Sequence, residues 1–419
     1  MTIDEVRLMN VFEKKLDSYA KLIIDVGINL QDKQPLVISG PIEGADFIRL
    51  LAKKAYEKGA SEVYVNWNDD TLIKLKYENS PMEVFEEFPK WKQDIMLYYA
   101  EKGAGFISIH AADPYLLRDI DPKKIAVANK TNSLGMKDFR KYTMNDINSW
   151  CVMSIPTKGW AKSVFSDLDE EKATEMLWDA IFKASRADLD DPTRVWKDHM
   201  ARLEQKTRYL NEKQFKTLHY KSANGTDLLI SLPEGHIWSG GGSINSKKVP
   251  FVANMPTEEV YTLPHKDGVN GIVYSTKPLN YGGNLIDDFK LEFKDGKVVN
   301  FEARVGEEIL KDLLNTDEGS KQLGEVALVP YSSPISQANI IFNNTLYDEN
   351  ASCHLALGKA YPTSIKNGEN MSDEELQKSG VNNSLIHEDF MIGSKDLSII
   401  GETPSGEWIQ IFKDGEWAI

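Results

Sequence analysis

The sequence predicts an α/β N-terminal domain with a mainly parallel sheet, followed by a strand-rich α+β C-terminal domain. Three features carry this reading. Short apolar runs alternate with amphipathic stretches through the first half, hairpin signals crowd the second, and 419 residues exceed what a single core usually organises. The texture changes near residues 205–215, so the domains are expected at 1–210 and 211–419.

Phe12, Leu16, Tyr19 and Ile23 recur at steps of three and four, which marks one face of an amphipathic helix that is over by Pro35. Leu36–Gly40 reads as a short buried strand. A helix follows, with Phe47, Leu50, Leu51 and Ala55 on one side and Gly59 as its C-terminal cap. Glu62–Trp67 and Gly105–His110 are two further strands, and this strand–helix–strand spacing marks βαβ units. Ser149–Ile155 is another buried strand, closed by Pro156. Helices from Glu170 to Ser185 and from Pro192 to about Asn211 complete the first half. Beyond Lys213, the dipeptides Asn224-Gly225, Asp295-Gly296 and Asp414-Gly415 each sit between strand-like runs, as tight hairpins require. Only Gly306–Asn315 and Ser372–Lys378 look helical there.

Composition removes several classes of function. With 64 acidic against 49 basic residues, the net charge is −15, and the Lys and Arg residues are scattered among carboxylates. A nucleic-acid surface needs clustered cations to displace counterions, so no nucleic-acid partner is expected. A hydrophobic fraction of 41% with 27% charged residues is that of an ordinary globular chain. No apolar run approaches the ~18 residues that span a bilayer, so no membrane partner is expected. Cys151 and Cys353 lie far apart without CxxC spacing and read as small buried hydrophobes. The lack of a disulfide framework, with an acidic N-terminus free of a signal-peptide pattern, points to the cytoplasm.

Several motifs fail on inspection. Gly240-Gly241-Gly242-Ser243 lacks the GK[ST] ending of a phosphate-binding loop. The first βαβ unit lacks GxGxxG, whose glycines let the backbone approach a pyrophosphate. GxSxG and HExxH are both absent.

One constellation survives. His110, His199, His219, His236 and His265 read as ordinary surface or half-buried residues, whereas His354 and His387 lie in acidic, strand-framed contexts. Treated as a strand, His387–Met391 projects His387 and Asp389 from one face, so an imidazole and a carboxylate converge on one point. Glu325 lies inside the apolar run Leu323–Pro330, a costly position for an unpaired carboxylate. Glu258 and Glu259 precede Val260-Tyr261, and Glu349 stands shortly before His354. Carboxylates and imidazoles in this number suit two divalent ions, with too few thiols for structural zinc.

The motifs Pro256-Thr257-Glu258-Glu259-Val260, Leu323–Pro330, Asn344–Ala351 and His387–Gly393 closely resemble those of the aminopeptidase T family of bacterial metallo-aminopeptidases. Ser333–Ser336, Ala356–Tyr361 and Pro156–Ala161 also fit, so the resemblance covers nearly the whole chain. It implies peptide substrates, a homodimer enclosing a chamber, and two metal ions held by Glu259, Glu325, Glu349, His354, His387 and Asp389. Zinc, cobalt and manganese all suit such ligands. Glu325 is expected to bridge the ions, Glu349 to act as general base, and Tyr361 to donate a hydrogen bond to the developing oxyanion. The competing readings are another two-metal hydrolase, such as an amidase or phosphoesterase, and a non-catalytic binding module whose acids hold a structural ion.

Overall fold

The computed structural model describes residues 3–281 and 284–419. The chain forms two compact units that interleave in sequence. One holds the chain through Asp198 together with Gly242–Pro256 and Ile341–Leu346; the other holds His199–Gly241, Thr257–Ile340 and Tyr347–Ile419. The sequence suggested a single crossing at 210/211, a point that lies inside the helix Pro192–Lys213. The two returning segments are too short to carry a periodic pattern that would assign them to either core.

The first unit is built on β1 (Leu36–Pro41), β2 (Val63–Asn68), β3 (Gly105–Ile109) and β4 (Trp150–Met153). These pair in the order β2-β1-β3-β4, and every pair is parallel. Leu36, Val37 and Ile38 are consecutively buried, as a parallel strand covered on both faces demands. The connecting helix Ala45–Lys58 buries Phe47, Ile48, Leu51 and Ala55, while Leu50 is only half-buried. It ends at Gly59, whose φ of 106° lets its N–H turn back to the carbonyls of Ala55 and Tyr56. The helices Asp70–Asn79 and Lys137–Met144 carry no periodic signal in the sequence. Neither buries a residue, so neither has an apolar stripe to read.

In the second unit β5 (Thr217–Lys221) and β6 (Asp227–Ser231) form the first predicted hairpin, and β7 (Ser239–Gly240) follows. A short ribbon of β8 (Ser243–Ile244) and β9 (Pro250–Phe251) belongs to a segment of the first unit. The remaining strands are β10 (Val260–Thr262), β11 (Val269–Tyr274), β12 (Leu279–Tyr281), β13 (Asn284–Lys294), β14 (Lys297–Val305) and β15 (Leu323–Leu328). They continue with β16 (His354–Gly358), β17 (His387–Met391), β18 (Ser398–Glu402), β19 (Trp408–Lys413) and β20 (Glu416–Trp417). A nine-stranded sheet runs β12-β13-β11-β6-β5-β18-β19-β20 with β14 paired to β13, and a five-stranded sheet runs β17-β16-β15-β10-β7. The other two predicted hairpins are β13–β14 and β19–β20. Val326, Leu328, Leu355, Leu357 and Phe390 of the smaller sheet join Leu228, Ile230, Phe289 and Leu291 of the larger one in a common core. Among the described residues no helix is long and apolar enough to cross a membrane.

Candidate metal centre

The second face of the smaller sheet carries the acids and imidazoles. Side chains alternate along a strand, so sending Val326, Leu355, Leu357 and Phe390 into the core turns Glu325, His354, His387 and Asp389 the other way. Glu259 precedes β10, whose Val260 pairs with Leu328 of β15, and this brings its carboxylate to the same face. Glu259, Glu325 and His354 are buried; His387 and Asp389 are half-buried.

Ligand atoms of these residues gather in two groups, Glu259–Glu325–His354 and Glu325–His387–Asp389, each within 4.8 Å of one another. Glu325 belongs to both. Its Oε1 lies 3.6 Å from His354 Nε2, and its Oε2 lies 3.6 Å from His387 Nε2. His354 Nε2 is also 3.4 Å from Glu259 Oε2, and His387 Nε2 is 3.6 Å from Asp389 Oδ1. Two ligands bound tetrahedrally at ~2.1 Å stand about 3.4 Å apart, so these spacings match donors arranged around a cation.

Both imidazoles are oriented for that task. His354 Nδ1 donates to the carbonyl of Ser352 at 3.0 Å, and His387 Nδ1 donates to that of Lys359 at 2.6 Å. A carbonyl only accepts, so each Nδ1 carries a proton and each Nε2 is the nitrogen left for a metal.

The electrostatics agree. Burial, together with the nearby Glu325 and Asp389, pushes the Glu259 carboxyl up to about 8. Burial raises Asp389 as well, and it raises Glu349 well above the usual range with help from Glu259 and Asp389. For His354, burial alone favours the neutral ring, but Glu325, Asp389 and Glu259 prevail and lift it to about 10. Carboxylates crowded in this way are stabilised by a divalent cation. Asp389 Oδ1 is moreover buried with no hydrogen-bond partner among the described residues. The residues therefore fit a metal.

The other predicted residues sit around this core. Glu349 is half-buried in the short helix Glu349–Ala351; it feels the charges of the two groups but falls outside both at the 4.8 Å spacing. Tyr361 is 41% exposed, its ring 4.8 Å from that of His387 and 6.3 Å from that of Tyr261. Burial and then Glu325 and Asp389 hold its hydroxyl protonated. Glu258 turns away, with Oε2 3.7 Å from His199 Nε2, so of the adjacent acids it is Glu259 that joins a group. Glu388 alternates to the opposite side of β17 from its neighbours, and burial raises its carboxyl to about 7.

His199 corrects a sequence expectation. It is buried, not an ordinary surface residue, and its Nε2 donates to Thr257 O at 2.8 Å. Asn350, part of the Asn344–Ala351 motif but without a role in it from sequence alone, accepts the Glu258 N–H on its Oδ1 at 2.8 Å. These two bonds anchor the backbone that delivers Glu259. The signal for His199 was present: Trp196, Leu203 and Leu210 are buried at helical spacing, and His199 falls on their stripe. His236, likewise read as unremarkable, is buried beside Trp238, and burial lowers its pKa.

Known proteins resemble the chain along nearly its whole length. "Aminopeptidase 2" of Geobacillus stearothermophilus is 53% identical over 98% of the chain and 99% of its own length. "Aminopeptidase AmpS" of Bacillus subtilis is 51% identical over 98% of the chain and the whole of its own. Among solved structures, wild-type AmpT from Thermus thermophilus superposes with a TM-score of 0.91 at 38% identity, covering 97% of this chain and 100% of that one. The profile of the family described as "Thermophilic metalloprotease (M29)" matches residues 12–417, and the chain belongs to this peptidase M29 family of metalloproteases.

Proposed function

We propose that the protein is an aminopeptidase that releases N-terminal residues from peptides with the help of two divalent cations. Glu259, Glu325 and His354 would hold one, and Glu325, His387 and Asp389 the other. The observation that carries the reading is the division of Glu325, one carboxylate oxygen toward each imidazole. Names and sequences of the relatives support the substrate class.

Cations in such a site supply Lewis-acid polarisation of the scissile carbonyl and lower the pKa of water. The chain's own groups do the rest. Glu349, half-buried beside the acids, is assigned to take the proton of the attacking water and return it to the leaving amine. The raised hydroxyl of Tyr361 keeps its proton, so its O–H is available to donate to the oxygen that gains charge. Its tilted contact with the His387 ring restrains it. Zinc, cobalt and manganese all match mixed carboxylate and imidazole donors. We assign the working form as a cytoplasmic homodimer, on family resemblance.

The test compares metal-loaded protein on a short peptide and on its N-acetylated form. Release of the first residue from the free peptide alone is expected; equal cleavage of both would sink the aminopeptidase reading. Metal analysis should find two ions per chain, and Glu325→Gln should lose metal and turnover together. Sedimentation tests the dimer.

A further inference from the structure

The parallel sheet of the first unit reverses its strand order at β1: β2 pairs on one side of it and β3 on the other. Chains leaving the carboxyl ends of such strands diverge, and the gap between them is where open α/β sheets bind ligands. Here the gap is a crevice of about 480 Å³, inside the range of small-molecule sites. β1, β2 and β3 all end at it, through Pro41, Asn68 and Ile109. Asn343 and Asn344 close the rim on the segment that returns to this unit. Both are tied down, Asn343 donating to Ser163 O at 3.1 Å and Asn344 to His110 O at 3.4 Å.

The lining selects a ligand class. No Lys or Arg is among the described residues that line it, and its one ionisable acid, Asp70, is half-buried. Desolvation pushes the Asp70 carboxyl up against the backbone hydrogen bond it accepts from Asp113, and the charges of Glu43, Asp113 and Asp69 add to the shift. Negative potential therefore collects where a dinucleotide fold would place phosphate-binding glycines, and an anion is repelled. His110 is exposed, yet partial desolvation of its ring lowers its pKa, so at neutral pH it adds no opposing charge. Ile109, Ala111 and Pro114 supply an apolar wall for an aliphatic group.

We propose that this crevice is a second binding site, separate from the metal centre, which takes the ammonium end of a small aliphatic amine. Amino-acid amides and the N-termini of short peptides belong to this class. Asp70 supplies the counter-charge, and the apolar wall holds the first carbons. The site does not depend on the proposed peptidase chemistry, since none of its residues belongs to the metal centre.

Isopentylamine tests it, because it has the charge and the aliphatic chain but no bond to hydrolyse. It would be titrated calorimetrically into the full-length metal-loaded protein. Saturable binding is expected, weakened by about tenfold or more in Asp70→Asn and by added salt. Isopentanol, of the same shape without the charge, should bind at least about tenfold more weakly. In Glu325→Gln the amine affinity should stay within about threefold of wild type, whatever happens to metal and turnover there. Absence of binding, equal binding by Asp70→Asn, or equal binding by the alcohol would overturn the site. Loss of binding in Glu325→Gln would overturn it too, by assigning the amine to the metal centre.

Discussion

Glu325 and Asp389 face each other across Ala356. Both are register partners of that alanine, one on β15 and one on β17. Two strand spacings separate them, about 9–10 Å between backbones, yet their ligand atoms come within 4.8 Å. The two carboxylates therefore lean together over a single methyl group. Gly358 plays the same part opposite His387.

Ala356→Leu should fill that space. Ala356 is fully buried, so added methylenes cost about 1–3 kcal/mol of stability. Metal retained after dialysis should fall sharply, with turnover falling in step. Elemental analysis and thermal denaturation read the two effects, and a variant with full metal content and normal turnover would show that the space above Ala356 is not used.

Metal-free protein should lose stability as pH rises. Glu259, displaced from 4.5 to about 8, favours its protonated form in the fold, so its contribution declines as pH climbs from 4.5 through 8. His354, displaced from 6.5 to about 10, contributes fully below 6.5 and loses that contribution as pH rises through about 10. The signs agree. Added zinc replaces those protons, so the Tm difference between zinc-loaded and chelated protein should widen between about pH 5 and pH 8. A constant gap would mean that the ion binds elsewhere.

Asn350→Ala should weaken metal binding without removing a metal donor. Its Oδ1 is the acceptor for the Glu258 N–H, and leaving that buried donor unpaired costs about 1–3 kcal/mol. Outer partners of this kind are worth about 10–100-fold in metal affinity. Competition with a chelator of known affinity measures it, and His199→Ala should act in the same direction through Thr257.

Tyr361→Phe should separate binding from chemistry. The ring and its contact with His387 survive, and only the hydroxyl is lost. On the proposed role, kcat should fall about 100- to 1000-fold with little change in KM. A change in KM alone would make Tyr361 a substrate-packing residue.

Much of this protein was legible in one dimension. Alternating apolar runs named β1 to β4, and the dipeptides at Asn224, Asp295 and Asp414 named three hairpins, because strand burial and turn geometry are local demands on residue type. Glu325 stood out for a similar reason: a carboxylate inside an apolar strand needs a partner. Helices with no buried face, such as Asp70–Asn79, left no trace of that kind.

What the tertiary structure alone decided is which distant residues meet. Register between β15, β16 and β17 turned Glu325, His354, His387 and Asp389 to one side, and a shift by one residue in any pair would have turned them inward. The anchoring roles of His199 and Asn350 and the return of Ile341–Leu346 to the first unit likewise depend on contacts across long stretches of chain. Sequence patterns record what each segment buries, whereas a site is made by what several segments leave exposed to one another.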